Sequence, residues 1–136
     1  MSIGQNIKHD SAISHVTGES VFVDDRIDHL NEVFVGIVTS PIAKGILKSI
    51  DTKKALAHKN CLGVYTSEDL SAKKWGAIFH DQPTLVEKEI SYFDEAIAII
   101  ASDDRYRVQE IIKLVTCEVI EDKPVFSIAD AKIKDD

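Results

Sequence analysis

The sequence predicts an α/β fold of the α+β type, in one domain that spans residues 1–136. The length fits one domain, because domains usually contain about 100–200 residues. Hydrophobic residues make up 44% of the chain, enough for one ordinary core. Several short apolar runs have the length of buried strands, and two segments carry the start signals or the apolar periodicity of helices.

The first part of the chain contains its clearest predicted strand. Residues 1–16 are polar and irregular, so we expect an extended N-terminal arm. Glu19–Val23 reads as a short strand that Asp24 and Asp25 close, since Asp favours turns. Val33–Thr39 is almost continuously apolar, which predicts a strand covered on both faces.

A second strand and a first helix follow. Gly45–Ile50 alternates apolar and polar residues, as a half-buried strand does. Asp51 or Thr52 can accept a free backbone N–H at the start of a helix over Lys53–Lys59. Asn60 stands where a left-handed residue commonly ends a helix.

The middle of the chain combines strands with one long loop. Cys61–Thr66 is predicted to be a buried strand. Ser71–Thr84 is a loop around Trp75, and its length makes it a candidate contact surface. Leu85–Val86 and Ile90–Phe93 are predicted to form short strands.

The last part of the chain carries the longest predicted helix. Ala96–Ala101 reads as a strand, and Ser102 is placed to cap the helix after it. Apolar residues recur along this helix at helical spacing, namely Val108, Ile111, Ile112 and Val115. Cys117–Ile120 is the final predicted strand, and residues 131–136 form a charged tail that we expect to be frayed.

Charge and composition exclude several classes of partner. The formal net charge of −7 argues against nucleic acid and anionic membranes, since binding to phosphate depends on Lys and Arg. No segment approaches the roughly 20 apolar residues of a membrane span, and no targeting signal is visible. We therefore expect a soluble, cytoplasmic chain, in which Cys61 and Cys117 are buried, reduced thiols.

No residue pattern predicts a catalytic, cofactor-binding or metal-binding site. Adjacent strand residues point in opposite directions, so Asp24 and Asp25 are expected to serve a turn rather than a shared site. The five histidines lack the spacing of metal ligands and are expected to form loop hydrogen bonds; they are His9, His15, His29, His58 and His80. GxSxG, GxxxxGK[ST] and GxGxxG motifs are absent. Trp75 either anchors an interface or folds back on its own core.

Six pieces of the chain, in order over about residues 3–130, resemble the molybdenum subunits of bacterial xanthine dehydrogenases. The stretch His15–Glu19 and the pair Asp24-Asp25 are similar to the family pattern H-V-T-G-x-A-x-Y-x-D-D. The other pieces are Ile3–Ala12, Thr39–Asp51, Leu62–Asp69, Trp75–Pro83 and Ile97–Ala101 with the helix that follows.

The resemblance implies the α/β hammerhead fold, with a mixed sheet and two main helices. In the family this domain is non-catalytic and packs against the molybdopterin-binding domains. The whole enzyme hydroxylates purines or aldehydes with water, and it uses molybdopterin-molybdenum, 2Fe-2S clusters and FAD, the last two in other domains or subunits. No family catalytic residue matches a position of this sequence, so this chain alone is expected to be inactive.

The chain departs from the family pattern at three places. The family usually has V-G-Q-P-V where this chain has Phe93–Ile97, so the glycine and the proline that shape that turn are absent, and two carboxylates, Asp94 and Glu95, replace them. Lys59-Asn60 replaces the usual Pro-Gly, and Asp122–Pro124 resembles E-L-P only loosely.

Two other functions remain open at this point. The altered turn at Asp94 also fits a stand-alone protein-interaction module derived from the hammerhead fold. The long loop around Trp75 also fits a binder of small ligands.

Overall fold

A computed structural model of the chain describes residues 3–26 and 31–134. It divides the chain into two compact units, residues 1–32 and 33–136. The twelve helices and strands of the described residues are, in chain order, α1 Ala12–Thr17, β1 Phe34–Thr39, β2 Gly45–Asp51, α2 Lys53–Leu56, β3 Cys61–Tyr65, β4 Lys74–Trp75, β5 Gln82–Pro83, β6 Glu89–Ile90, β7 Ala96–Ser102, α3 Val108–Ile112, β8 Thr116–Glu121 and α4 Ile128–Lys134.

The N-terminal unit differs from the extended arm and short strand that the sequence predicts. Residues 12–17 form α1, which ends at Gly18 in the left-handed conformation, with φ 77°. Val23–Asp25 forms a 3₁₀ turn in place of the strand. The Asp25 carboxylate accepts the backbone N–H of Phe22 at 3.0 Å. This local bond satisfies a backbone donor that a strand would have needed a neighbour to pair.

The second unit confirms the predicted α/β fold class, with strands in three small antiparallel sheets. The strand orders are β1-β7-β3, β6-β2-β8 and β4-β5, and every pairing is antiparallel. A parallel pair requires a crossover between strands of one sheet. Here α2 and α3 each connect strands of different sheets, which explains why the described residues form antiparallel sheets in place of the predicted mixed sheet.

The core lies between the first two sheets and the helix α3. Buried apolar residues form one cluster there, which contains Val38, Ile42, Leu47, Ala55, Val86, Ile90, Ile97, Ala98, Ile100 and Ile111. The predicted stripe of α3 supplies Ile111, which is fully buried. Burial of apolar side chains in a cluster of this kind is the dominant favourable contribution to folding.

Several predicted boundaries in the second unit are wrong. The helix after β7 begins at Val108, and Ser102 ends the strand, with its hydroxyl bonded to the backbone of Asp104. Leu85 and Val86 are buried but not in a strand, because Val86 makes a single backbone bond to Ala96.

The first helix of this unit is shorter than predicted. It ends at Leu56, and Asn60 is not left-handed, since the described non-glycine residues with positive φ are Asn31 and Asp94. At its start, the N-cap residue Thr52 makes no side-chain hydrogen bond, and the carboxylate of the preceding residue, Asp51, accepts the N–H of Lys53 at 3.0 Å.

The described part of the C-terminal tail is helical, whereas the sequence predicts a frayed segment over residues 131–136, of which residues 135–136 lie outside the described residues. Residues 131–134 belong to α4. Ser127 stabilises the start of this helix, since its hydroxyl accepts the N–H of Asp130 at 3.1 Å and donates to the Asp130 carboxylate at 2.7 Å.

Candidate docking surface

The sheet β1-β7-β3 has one face that we call the outer face. Its residues form two cross-strand rows, Val35–Ala101–Gly63 and Ile37–Ile99–Tyr65. Directly opposed residues of antiparallel strands point to the same side of the sheet. Val35 is 61% exposed, Ile37 is 53% exposed and Tyr65 is 46% exposed. This face is therefore apolar and open to solvent.

The opposite face of the same sheet is packed against α3. Ala98 and Ile100 on this side are fully buried. At Gly36 a Cβ atom would overlap Cγ1 of Val108 and lie 2.7 Å from Cδ1 of Ile112, so the missing side chain lets the helix approach β1 closely. Among the described residues, only this face of the sheet is covered by a helix, so the prediction that both faces of β1 are covered is wrong.

The strands of this sheet carry no charge. None of the residues of β1, β3 and β7 is Lys, Arg, Asp or Glu, although 29% of the whole chain is charged. Depletion of charge with exposed aliphatic and aromatic side chains is typical of the centre of a protein interface. The outer face is therefore the strongest candidate docking surface among the described residues.

A second apolar feature is the β4–β5 hairpin. Trp75 is 55% exposed, so it does not fold back on the core. Ile78 and Phe79 at the tip are 84% and 75% exposed. A Cβ atom at Gly76 would overlap the carbonyl oxygen of Phe79, so glycine is required where the loop closes. The long loop that the sequence marks as a contact surface is thus a hairpin with an apolar tip.

The turn before β7 is held by its own carboxylates. Asp94 has φ 63°, the left-handed conformation that glycine adopts freely, and its carboxylate accepts the hydroxyl of Thr39 at 2.9 Å. Glu95 is 4% exposed and accepts the N–H of Ser91 at 2.6 Å. Asp94 therefore occupies the backbone geometry of the glycine that it replaces in the family pattern.

Three of the four described histidines make contacts close in sequence. His9 accepts the N–H of Ser11 at 3.3 Å, and His15 stacks on a phenylalanine with ring centroids 5.6 Å apart. His58 accepts the N–H of Asn60 at 3.2 Å. His80 is exposed in the hairpin loop. The fifth, His29, lies outside the described residues.

The two cysteines and the Asp24-Asp25 pair do not come together in a shared site among the described residues. Cys61 and Cys117 are free and partly buried. Burial raises the pKa of the Cys117 thiol, which disfavours the reactive thiolate. Asp24 and Asp25 lie in the 3₁₀ turn, where Asp25 bonds to the backbone.

The described residues show no metal site and no membrane span. Within residues 3–26 and 31–134, no three His, Cys, Asp or Glu side chains are grouped to hold a metal ion. Over the same ranges, no helix has the length and apolar character that crossing a bilayer requires.

Two surface clefts lie beside β2. One has a volume of about 350 Å³ and a largely polar lining that includes Ser49, Thr66 and Glu87. The other, of about 460 Å³, is lined by residues such as Lys44 and Asp122. Trp75 lines neither cleft, so they give no support to a ligand site in its loop.

Comparison with known proteins identifies the family. The model of one protein family, described as aldehyde oxidase and xanthine dehydrogenase, a/b hammerhead domain, matches residues 17–123. A xanthine dehydrogenase from Dictyostelium discoideum is 32% identical over 130 residues, which are 95% of this chain and 9% of that protein. The chain thus spans about a tenth of the length of the curated relatives that it matches.

Solved structures agree with this result. A reconstituted CO dehydrogenase from Oligotropha carboxidovorans matches with a TM-score of 0.78 and 27% identity, over 90% of this chain and 15% of that one. An aldehyde oxidoreductase from Desulfovibrio desulfuricans has a TM-score of 0.83 at 22% identity, over 94% of this chain and 16% of that one, which shows the shared fold. The chain therefore belongs to the aldehyde oxidase and xanthine dehydrogenase family, within the part that forms the a/b hammerhead domain.

Proposed function

We propose that this chain acts as the non-catalytic N-terminal hammerhead domain of a xanthine dehydrogenase-like molybdenum hydroxylase. In this role it packs against the molybdopterin-binding domains of the same subunit, and iron–sulfur and FAD domains or subunits complete the enzyme. The observation that carries the proposal is the family match over residues 17–123 in relatives that are about ten times longer.

The outer face is the surface that we assign to this packing. An exposed apolar area without charge is costly on an isolated domain and marks a site of protein contact. This face carries the exposed side chains of Val35, Ile37 and Tyr65, and α3 packs against the opposite face of the same three-stranded sheet. A rigid apolar face of this kind suits permanent packing against a larger domain.

This domain contributes shape and contacts, and the chemistry belongs to the cofactors held elsewhere. None of the hydroxylation steps is assigned to this chain, since no catalytic residue of the family matches a position of its sequence. The purified chain is accordingly expected to show no oxidation of xanthine or of an aldehyde in the presence of an electron acceptor. Turnover above a buffer blank would overturn the proposal.

The size of the native polypeptide tests the proposal most directly. An immunoblot of source cells with an antibody to this domain is expected to show a band several times larger than 15.1 kDa. A band near 15.1 kDa would instead favour the stand-alone interaction module.

A surface variant tests the packing itself. In the long native polypeptide, Tyr65→Asp places a charge on the outer face and is expected to expose the domain border to limited proteolysis. The matched control is Ile120→Asp on β8, which is 47% exposed and lies on the other sheet. Equal cleavage of the two variants would contradict the assignment of the outer face.

A further inference from the structure

The described part of the N-terminal unit, residues 3–26, carries its apolar side chains on the outside. Its isoleucine, valine and phenylalanine side chains are all 59% to 94% exposed; they are Ile3, Ile7, Ile13, Val16, Val21, Phe22 and Val23. The residues of this segment that are partly buried are serines, namely Ser11, Ser14 and Ser20. A few exposed apolar residues are normal on any protein, but folded proteins usually bury most of them. Residues 3–26 therefore have no apolar core among themselves.

Hydrogen bonds between the serines hold this segment in its shape. The hydroxyl of Ser20 donates to the hydroxyl oxygen of Ser14 at 3.0 Å, and the Ser14 hydroxyl donates to the carbonyl oxygen of Ser11 at 2.9 Å. The backbone N–H of Ser20 also donates to the carbonyl oxygen of Ser14 at 3.0 Å. These local bonds fix the backbone without burying any apolar side chain. The exposed apolar side chains are thus held in place before any partner binds, which lowers the cost of ordering them.

The helix α1 has two opposite faces. With 3.6 residues per turn, residues three apart lie on the same side of a helix. Ser11, at the N-cap, and Ser14 mark one side, whereas Ile13 and Val16 mark the other. No residue of α1 is Lys, Arg, Asp or Glu, and none is buried. An apolar helix face without formal charge is suited to an apolar groove on another protein surface.

Such a short helix depends on contacts outside itself. Isolated helices of fewer than about 12–15 residues are marginal in water, and most of the stability of protein helices comes from tertiary packing. The helix α1 has six residues. We therefore expect its stability in the native protein to come from a surface that covers Ile13 and Val16.

The comparisons indicate where that surface lies. The family model of the hammerhead domain begins at residue 17, so most of α1 lies outside it. The Dictyostelium discoideum xanthine dehydrogenase nevertheless matches 95% of this chain, and the uncovered 5% is shorter than the segment that precedes α1. The helix is thus matched within a polypeptide of which this chain covers 9%. A covalent link gives the rest of such a polypeptide a high effective concentration near α1, which a free partner lacks.

We propose that α1 docks through Ile13 and Val16 into an apolar groove of the molybdopterin-binding part of the same polypeptide. This inference rests on the proposed function, because it takes the rest of that polypeptide to be present. It adds a second contact, since the packing proposed above uses the outer face of the sheet β1-β7-β3. Residues 3–26 act as a strap that holds this part of the chain to the larger domain.

The first test compares amide hydrogen exchange in the native long polypeptide and in the purified 136-residue chain. Amides of residues 12–25 are expected to exchange at least about tenfold more slowly in the long polypeptide, because a covered helix opens less often. Amides of β7 serve as the control and are expected to be protected in both proteins. Equal exchange of residues 12–25 in the two proteins would overturn the proposal.

The same measurement excludes other occupants of the helix face. Protection of residues 12–25 that grows with the concentration of the 136-residue chain would show that a second copy covers α1, and would overturn the proposal. Protection in that chain at every concentration would overturn it as well. The immunoblot decides the proposed function separately, so a long native polypeptide with unprotected residues 12–25 refutes this inference alone.

A variant of the long polypeptide identifies the contact. Valine and asparagine have similar helix propensities, so Val16→Asn removes the apolar contact and leaves the helix itself little changed. It is expected to speed exchange of residues 12–25 at least about tenfold in the long polypeptide. In the 136-residue chain it is expected to change nothing, since Val16 is 84% exposed there.

The matched control is Lys8→Asn, an exposed position of the same segment outside α1. It is expected to leave the exchange of residues 12–25 unchanged in both proteins. A folded Val16→Asn polypeptide that exchanges as the parent does, or as fast as the 136-residue chain only when Lys8→Asn does so too, would overturn the proposal. The first test needs no variant, so it decides the question even where the Val16→Asn polypeptide does not fold.

Discussion

Gly36 offers the sharpest test of how α3 is held on the sheet. It lies in β1, directly below the helix. Replacing it with alanine puts a Cβ atom onto Cγ1 of Val108 and 2.7 Å from Cδ1 of Ile112. Val108 is 6% exposed and branched at Cβ, so it cannot rotate out of the way easily. The helix or the strand must move to relieve the overlap.

The expected cost follows from two opposing terms. Overpacking of a filled core costs about 1–3 kcal/mol. Gly→Ala also restricts the unfolded chain, which offsets about 0.4–1 kcal/mol of that cost. We expect Gly36→Ala to lower the free energy of unfolding by about 1–2 kcal/mol, which for a unit of this size lowers Tm by roughly 4–16 °C.

Thermal and urea unfolding, followed by circular dichroism, measure this effect. The matched control is Gly63→Ala in β3 of the same sheet. Its Cβ meets the hydroxyl of Tyr65 at 2.9 Å, and that half-exposed ring is free to swing away. The control is expected to change stability by less than about 1 kcal/mol.

A second-site variant identifies the cause. If the overlap with Val108 is responsible, Gly36→Ala must cost less in a Val108→Ala background than in the parent chain. The reasoning is refuted if Gly36→Ala is no more harmful than Gly63→Ala, or if the Val108→Ala background does not reduce its cost.

Three further predictions concern single groups. Asp94→Ala is expected to lower the free energy of unfolding, measured by urea titration, by about 1–2 kcal/mol, because alanine at this position must adopt φ 63° without the hydrogen bond to Thr39. Asparagine tolerates this conformation, so Asp94→Asn should lower the free energy of unfolding by less. An equal loss in the two variants would contradict this account. The hydrogen bond and charge of Arg107 hold the pKa of the Glu110 carboxyl below its ordinary value. The pair therefore stabilises the fold at neutral pH, and this contribution is lost as the pH falls through the folded-state pKa of Glu110. NMR titration of the Arg107→Gln variant should show a higher Glu110 pKa than in the parent chain, and an unchanged pKa would refute this. Burial raises the pKa of the Cys117 thiol, so iodoacetamide at mildly alkaline pH should alkylate it more slowly in the folded chain than in urea, and equal rates would show that the thiol is not shielded.

The sequence alone determined the fold class, the family resemblance and most of the strands. The runs that became β1, β2, β3, β7 and β8 were visible because apolar residues cluster wherever a strand crosses the core. The exact residues at which strands end and helices begin were harder to predict from the sequence. Ser102 looked like a helix cap, yet pairing with β1 and β3 extends β7 to this residue and delays the helix to Val108.

The candidate docking surface depends on the tertiary structure. The sequence of Val33–Thr39 shows only that its side chains are apolar, and this pattern predicts a strand covered on both faces. It does not show which face another element covers. Which face α3 covers depends on how distant segments pack, and Gly36 becomes meaningful only once Val108 and Ile112 lie above it. Likewise, the edge position of β1 follows from pairing with β7, some sixty residues later in the chain. Burial and strand order are properties of long-range contacts, and a local pattern of residues does not contain them.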